Sequence, residues 1–198
     1  MFTGIVEDTA EVEDISEAGE GKRIELVSSL LEQVSQGDSV SVSGACLTVE
    51  ETRKETAEFF LAKETLERTW FDRLEKGDEL NVETSLSLND TLDGHIVQGH
   101  VDASAEILEI EELEEGWNFT LSKPDALKNY VVEKGFIAVE GVSLTVTSEN
   151  PGEFTATIIP ETWKRTSLST KKEGDHVNLE ADITARYIQK MHRDLRPQ

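Results

Sequence analysis

The chain has 198 residues, enough for one large domain or two small ones, and its 41 acidic against 19 basic residues give a formal net charge of -22. Such a charge repels nucleic acid and anionic membrane surfaces, and no apolar run approaches the roughly 20 residues that a bilayer span needs, so a soluble protein without polyanionic partners is expected. The single cysteine, Cys46, allows neither an intrachain disulfide nor a cysteine-built metal cluster and suits a reducing cytosol.

The opening Met1-Phe-Thr-Gly-Ile-Val-Glu7 has no basic segment and no long apolar stretch, so it does not read as a signal peptide, and a cytoplasmic location is expected. A short helix is predicted over Ser29 to Val34, then an alternating strand at Ser39-Val-Ser-Val-Ser43, the block Gly44-Ala-Cys-Leu-Thr-Val49, a second short helix from Glu64, and the block Gly77-Asp-Glu-Leu-Asn-Val-Glu83. Ser87-Leu-Asn-Asp90 and Leu92-Asp-Gly94 read as turns. Beyond them come strands at Phe119-Thr-Leu121, Phe136-Ile-Ala-Val139, Ser143-Leu-Thr-Val146, Phe154-Thr-Ala-Thr-Ile-Ile159 and His176-Val-Asn-Leu-Glu180. Helices are predicted over Pro124 to Val132, capped by Ser122 or Asp125, and from Glu161. After Asp182 the spacing changes to Ile183, Tyr187, Ile188, Met191 and Leu195, an amphipathic helix of about three turns. It is too short to stand alone and must bury its seam on its own barrels or on another subunit.

The chain is written twice. Gly44 to Val49 matches Gly141-Val-Ser-Leu-Thr-Val146, Glu64-Thr-Leu-Glu-Arg-Thr69 matches Glu161-Thr-Trp-Lys-Arg-Thr166, and Gly77 to Glu83 matches Gly174 to Glu180, all at an offset of 97 residues. Gly4, Val6, Ala10, Glu11 and Ile15 match Gly99, Val101, Ala105, Glu106 and Ile110 at an offset of 95. The domains expected are therefore residues 1–93, residues 94–182 and a helix over 183–198. Many short strands in each half favour a small closed antiparallel barrel, which leaves no sheet edge exposed.

A doubled barrel serves stability alone, or it offers two similar sites to two similar small molecules. The second reading requires divergence at polar positions, and the halves do diverge: Cys46 falls on Ser143, Ile5 on His100, Gly37 on Lys134 and Ser85 on Asp182. Each has a plain structural alternative. Taken alone, Cys46 reads as a small buried hydrophobe, His100 as a satisfied barrel histidine, Lys134 as a solvated turn residue, and the Glu64–Arg68 and Glu161–Arg165 spacings as helix ion pairs. The spread of Glu and Asp along the chain fits either a salty cytoplasm or an ordinary acidic surface.

Met1 to Glu7, Gly44 to Val49, Gly94-His-Ile-Val-Gln-Gly-His-Val101, Lys134 to Val146 and Ile159-Pro-Glu-Thr162 together resemble the riboflavin synthase α-chain family over nearly the whole length. The resemblance implies an all-β fold of two similar six-stranded antiparallel Greek-key β-barrels in tandem plus a C-terminal α-helix that mediates a homotrimer. It implies dismutation of two molecules of 6,7-dimethyl-8-ribityllumazine to riboflavin and 5-amino-6-(D-ribitylamino)uracil, with neither redox cofactor nor metal. Each site would form between the first barrel of one subunit and the second barrel of a neighbour.

Carried over, the first pocket comprises Gly4, Ile5, Val6, Cys46, Leu47, Thr48, Phe60, Leu61, Ala62, Lys63, Glu64 and Thr65. The second comprises Gly99, His100, Val101, Lys134, Ser143, Leu144, Thr145, Ile158, Ile159, Pro160, Glu161 and Thr162. His100 is the expected proton-transfer residue, Cys46 and Ser143 are candidate nucleophiles or water-positioning groups, and Phe2 closes the pocket at the subunit junction. Ser39, Lys134 and Asp182 also match family positions that bear on the chemistry. Ala45 stands where some members have a second cysteine, which leaves Cys46 as the one available thiol. The alternatives are a lumazine-carrying antenna or carrier protein, as in luminous bacteria, and a purely structural double barrel. Association with lumazine synthase is not legible in the sequence.

Overall fold

The computed structural model describes residues 1–194. The first half contains β1 (Asp8–Ala18), β2 (Gly21–Val27), β3 (Ser39–Val42), β4 (Ala45–Arg53), β5 (Thr56–Leu61), α1 (Lys63–Arg68) and β6 (Glu79–Thr84). The second contains β7 (Ala103–Leu113), β8 (Gly116–Ser122), β9 (Phe136–Val139), β10 (Val142–Asn150), β11 (Glu153–Ile158), α2 (Pro160–Arg165) and β12 (His176–Ala181), followed by α3 (Ile183–Asp194). Each set of six strands closes into an antiparallel barrel, in the order β1-β2-β5-β4-β3-β6 and the equivalent β7-β8-β11-β10-β9-β12. In each, a strand crosses over two neighbours before pairing, as a Greek key requires.

Alternation builds the barrels. In β4, Ala45, Leu47 and Val49 face the first core while Cys46 and Thr48 face outward; in β10, Val142, Leu144 and Val146 face the second core while Ser143 and Thr145 face outward. The pairing register slips between Val12 and Asp14, between Val49 and Glu51, and at the equivalent places Ile107/Glu109 and Val146/Ser148. Such bulges bend a strand enough to let six strands close.

The short-helix expectations hold unevenly. Ser29–Gln33 is a 3₁₀ turn whose N-terminus is capped by the Ser28 hydroxyl. Pro124 to Val132 forms turns instead of the predicted helix: Leu127 and Tyr130 donate to carbonyls only three residues back. The Ser122 hydroxyl, expected as a cap, accepts from the Glu106 backbone N–H across the sheet at 2.9 Å. Leu195, the last residue of the predicted seam, lies outside the described residues. The expected boundary at Leu92–Gly94 falls in the link between β6 and β7.

The halves meet about a pseudo-two-fold axis. Gly44 and Gly141 lie back to back, so that a Cβ on Gly44 would come within 2.9 Å of the Gly141 nitrogen. Asn81 donates to the Glu140 carbonyl at 2.9 Å and accepts from the Ser167 N–H at 2.7 Å. Its counterpart Asn178 donates to the Ser43 carbonyl at 2.9 Å and accepts from the Trp70 N–H at 3.1 Å. Phe2 and Val97, equivalent in the repeat, pair with each other through two backbone hydrogen bonds of 2.8 and 3.1 Å.

Candidate functional site

The residues ahead of each barrel cross to the other one. The carbonyl of Gly99 accepts from the Cys46 N–H at 2.8 Å, and the carbonyl of Gly4 accepts from the Ser143 N–H at the same distance. Both glycines have left-handed φ, +79° and +76°, and a Cβ on either would strike the facing Cβ at 2.5 and 2.6 Å. Only glycine permits this approach. Val101 accordingly packs on the first core, and Val6 is buried in the second. The grouping expected from the sequence is thereby exchanged: Gly99, His100 and Val101 belong with Cys46, and Gly4, Ile5 and Val6 with Ser143.

Two buried glutamates fix these crossings. Glu180 of β12 accepts from the N–H groups of Gln98, Gly99 and His100 at 2.8, 2.8 and 2.9 Å. Glu83 of β6 accepts from the Thr3 N–H, the Thr3 hydroxyl and the Gly4 N–H at 2.6, 2.7 and 3.1 Å. Burial pushes both carboxyl groups above the usual carboxylate range, while the donated hydrogen bonds oppose it. Sequence reasoning matched the two as repeat equivalents without assigning them a role; their place beside the invariant frames of the repeat is the signal that was present.

The first site is a cleft of about 280 Å³ lined by Ala45, Cys46, Ala62, Glu64, Thr65, Arg68, Thr69, Gly99, His100 and Val101. That is near the lower limit for small-molecule pockets. Its lining mixes hydroxyl, carboxylate and guanidinium groups of α1 with a thiol and an imidazole brought from opposite barrels. Ion pairing between Arg68 and Glu64 at 3.8 Å holds both at the mouth.

The second site has a different polar pair. His95, from the link between the halves, places Nδ1 2.6 Å from the Ser143 hydroxyl and stacks on Phe136 with centroids 5.2 Å apart. It is 6% exposed, its Nε2 has no hydrogen-bond partner among the described residues, and burial holds its pKa below the ordinary histidine value against the opposing charge of Asp182. Counted back by the repeat offset of 95, His95 has no equivalent in the first half. The motif Gly94 to Val101 displayed this residue in the sequence, but only the fold shows that the link lies over Ser143.

Several expected site side chains point elsewhere. Leu47, Leu61, Leu144, Ile158 and Val6 are buried in the cores by strand alternation, so only their backbones are available to a ligand. Phe60 turns to Gly21 and to the Arg23 guanidinium, 5.8 Å from its ring centroid. Phe2, expected at a subunit junction, is wholly buried within the chain among Val97, Ala138 and Cys46, where it supports the first site from beneath. Lys134 is exposed at a turn with φ +64°, its N–H bonded to the Val146 carbonyl. Ser39 pairs with Thr48 at the start of β3, and Asp182 caps α3 through the Thr184 N–H and hydroxyl. Thr48 and Thr145 face solvent; Ile159, Pro160 and Glu161 are exposed and Thr162 half-buried on the second-barrel counterpart of the Ala62, Lys63, Glu64 and Thr65 turn.

Comparison with known proteins is consistent throughout. Residues 3–85 and 98–182 each match the model of the lumazine binding domain. The sequence is 36% identical to a riboflavin synthase of Actinobacillus pleuropneumoniae over 96% of this chain and 88% of that protein. Identity is 38% to the Bacillus subtilis riboflavin synthase, over 95% and 88%, and 39% to that of Escherichia coli, over 92% and 87%. The fold is similar to that of LumP complexed with 6,7-dimethyl-8-(1'-D-ribityl)lumazine, with a TM-score of 0.83 at 23% identity over 91% of this chain and 99% of that one. LumP complexed with riboflavin gives 0.85 at 24% identity over the same shares.

Proposed function

Since this chain belongs to the riboflavin synthase family, with two lumazine-binding domains in one polypeptide, we propose that it converts two molecules of 6,7-dimethyl-8-ribityllumazine into riboflavin and 5-amino-6-(D-ribitylamino)uracil. The observation that carries this reading is a pair of equivalent sites with unlike reactive groups, Cys46 and His100 in the first and Ser143 and His95 in the second. Two identical substrates need like frames to bind and unlike groups to become donor and acceptor.

The reaction moves a four-carbon unit from one lumazine to the other. One molecule loses a proton from its C7 methyl, and the other is activated by a nucleophile adding at C7. His100, exposed at the first cleft on a backbone fixed by Glu180, is the proton-transfer residue. Ser143, hydrogen-bonded to an imidazole kept neutral by burial, is the group best placed to add or to hold water at the second ring. Cys46 lies beside the first ring and packs on Phe2, Val97 and Ala138. Holding the two rings together converts a bimolecular encounter into an oriented one, which supplies much of the acceleration.

The active assembly is a cytoplasmic homotrimer in which the first site of one subunit faces the second site of its neighbour. The small volume of the first cleft supports a shared site, and so do the exposed apolar residues Ile5, Phe136 and Ile159 around the second. Tyr187, Ile188 and Met191, 63% or more exposed on α3, provide a contact surface. A mass three times 22.0 kDa by light scattering is expected.

Incubation with 6,7-dimethyl-8-ribityllumazine is expected to yield riboflavin; binding without turnover would mean a carrier, and absence of binding a structural double barrel. His100→Ala and Cys46→Ala are each expected to lower kcat by about tenfold or more while weakening lumazine binding less. Unchanged rates in both variants would remove these two roles.

A further inference from the structure

Asp102 joins the C-terminal helix to the first site. One carboxylate oxygen accepts from the Ala181 N–H at 2.9 Å, the other is paired with Arg186 of α3, and the Asp102 carbonyl accepts from Arg68 of the cleft wall at 3.4 Å. The repeat explains why this junction exists in one half only. Its first-half equivalent, Glu7, spends a single oxygen on both the N–H and the hydroxyl of Thr84, each at 2.7 Å, and no helix follows β6. In the second half Thr84 is replaced by Ala181, which has no hydroxyl, and α3 begins two residues later under the cap supplied by Asp182.

We infer that Arg186 is a positioning residue for the first site, tying α3 to the strap Gln98–Asp102 and thereby fixing His100 over the cleft. The strap is restrained by Glu180 on the N–H groups of Gln98, Gly99 and His100, by the Gly99 carbonyl on Cys46, and at Asp102 by its N–H donated to the Leu179 carbonyl at 2.8 Å, by Arg68 on its carbonyl and by its carboxylate between Ala181 and Arg186. Glu180 and the Gly99 carbonyl act ahead of His100 and at it, and the contacts of Asp102 act behind it, with Arg186 the one among them that comes from α3. The Asp102 side chain is 11% exposed and that of Arg186 34%, so the pair is largely withdrawn from water, where a charge-assisted contact holds geometry better than at an open surface. Because Tyr187 and Ile188 follow Arg186 on the same helix and are exposed, whatever docks on α3 acts on the strap through this link. The inference rests on the synthase reading for its kinetic effect and on geometry alone for its structural effect.

The test compares the full chain with Arg186→Ala and Arg186→Lys by steady-state kinetics with 6,7-dimethyl-8-ribityllumazine, light scattering, and hydrogen exchange of backbone amides. For Arg186→Ala, kcat is expected to fall about tenfold with KM changed by less than about twofold, as for a group that acts on transition-state geometry. Exchange over residues 97–103 is expected to quicken several-fold while residues 2–7, held by Glu83 and Thr84, exchange as before. Arg186→Lys should recover most of both effects at unchanged mass. Unaltered exchange in the strap overturns the inference, as does a loss of kcat that accompanies loss of the oligomer. If the parent chain binds lumazine without turnover, the synthase reading fails and the exchange comparison still decides the role of Arg186.

Discussion

His95 illustrates how one residue acquires a property that no count of residue types reveals. A histidine in a glycine-bounded link is expected to be solvated and to titrate near its ordinary value, yet here it is buried, stacked on Phe136 and bonded to Ser143. Burial lowers its pKa from 6.5, so an unfolded chain binds a proton at mildly acidic pH that the folded chain refuses. Stability tied to His95 is therefore complete above about 6.5 and is lost as the pH falls through the lowered folded value. His95→Gln carries no such proton, and its glutamine carbonyl can still accept from Ser143. Urea unfolding at pH 7.5, 6.0 and 5.0 is expected to show the parent losing stability relative to the variant at each acid step. A gap independent of pH would mean that the imidazole titrates alike in both states.

At the scale of elements, the repeated glycines separate two kinds of constraint. Gly37 (φ +92°) and Gly44 (φ +84°) share a left-handed backbone, but a Cβ on Gly37 meets nothing within 4 Å among the described residues, whereas one on Gly44 meets the Gly141 backbone at 2.9 Å. Gly37→Ala should then cost about 1–2 kcal/mol, the conformational penalty alone. Gly44→Ala should cost about 1–3 kcal/mol more, because overpacking moves two barrels apart, and chemical denaturation of the two variants measures the difference. The same distinction governs what the sequence made legible. Local period and turn chemistry located α1, α2, α3 and the strands other than β1 and β7, and the offsets of 95 and 97 located their equivalents. Pro124 to Val132 was misread as a helix because its apolar spacing serves Leu127 and Val131, which are drawn into the second core from a run of turns. The crossing of the two lead segments was not legible at all, since Gly99 with Cys46 and Gly4 with Ser143 are long-range pairings that no local pattern encodes. Alternation alone separates outward Cys46, Thr48, Ser143 and Thr145 from inward Leu47 and Leu144, a distinction that a resemblance over whole stretches does not draw.

The whole molecule poses a pairing problem, because two like halves meeting about a pseudo-two-fold axis present almost the same surface to a like partner as to an unlike one. One buried cluster breaks that equivalence. Glu140, wholly buried, accepts from Trp70 Nε1 at 2.9 Å and the Asn178 N–H at 2.6 Å, and its other oxygen faces the Lys171 ammonium at 3.9 Å, which itself lies 4.0 Å from the Trp70 ring centroid. The repeat equivalents of Glu140, Lys171 and Trp70 are Ser43, Leu74 and Ser167, so the second half supplies the charges and the first half supplies the indole. Lys171→Leu should leave Glu140 as an uncompensated buried charge and cost about 3–5 kcal/mol. Burial already holds that carboxyl above its usual range against the pull of Lys171, so the stability it contributes is greatest below about 4.5 and is lost as the pH rises through its folded value. Without Lys171 the deficit should therefore widen from pH 5 to pH 8. Adding Glu140→Ser, which gives both positions their first-half identities, should recover about 1–3 kcal/mol relative to the sum of the single changes, measured by a double-mutant cycle in urea. Additive costs would separate the two residues energetically. A coupled result identifies the device by which unlike halves prefer each other: two second halves would bury two glutamates without an indole donor, and two first halves would bury indoles without an acceptor.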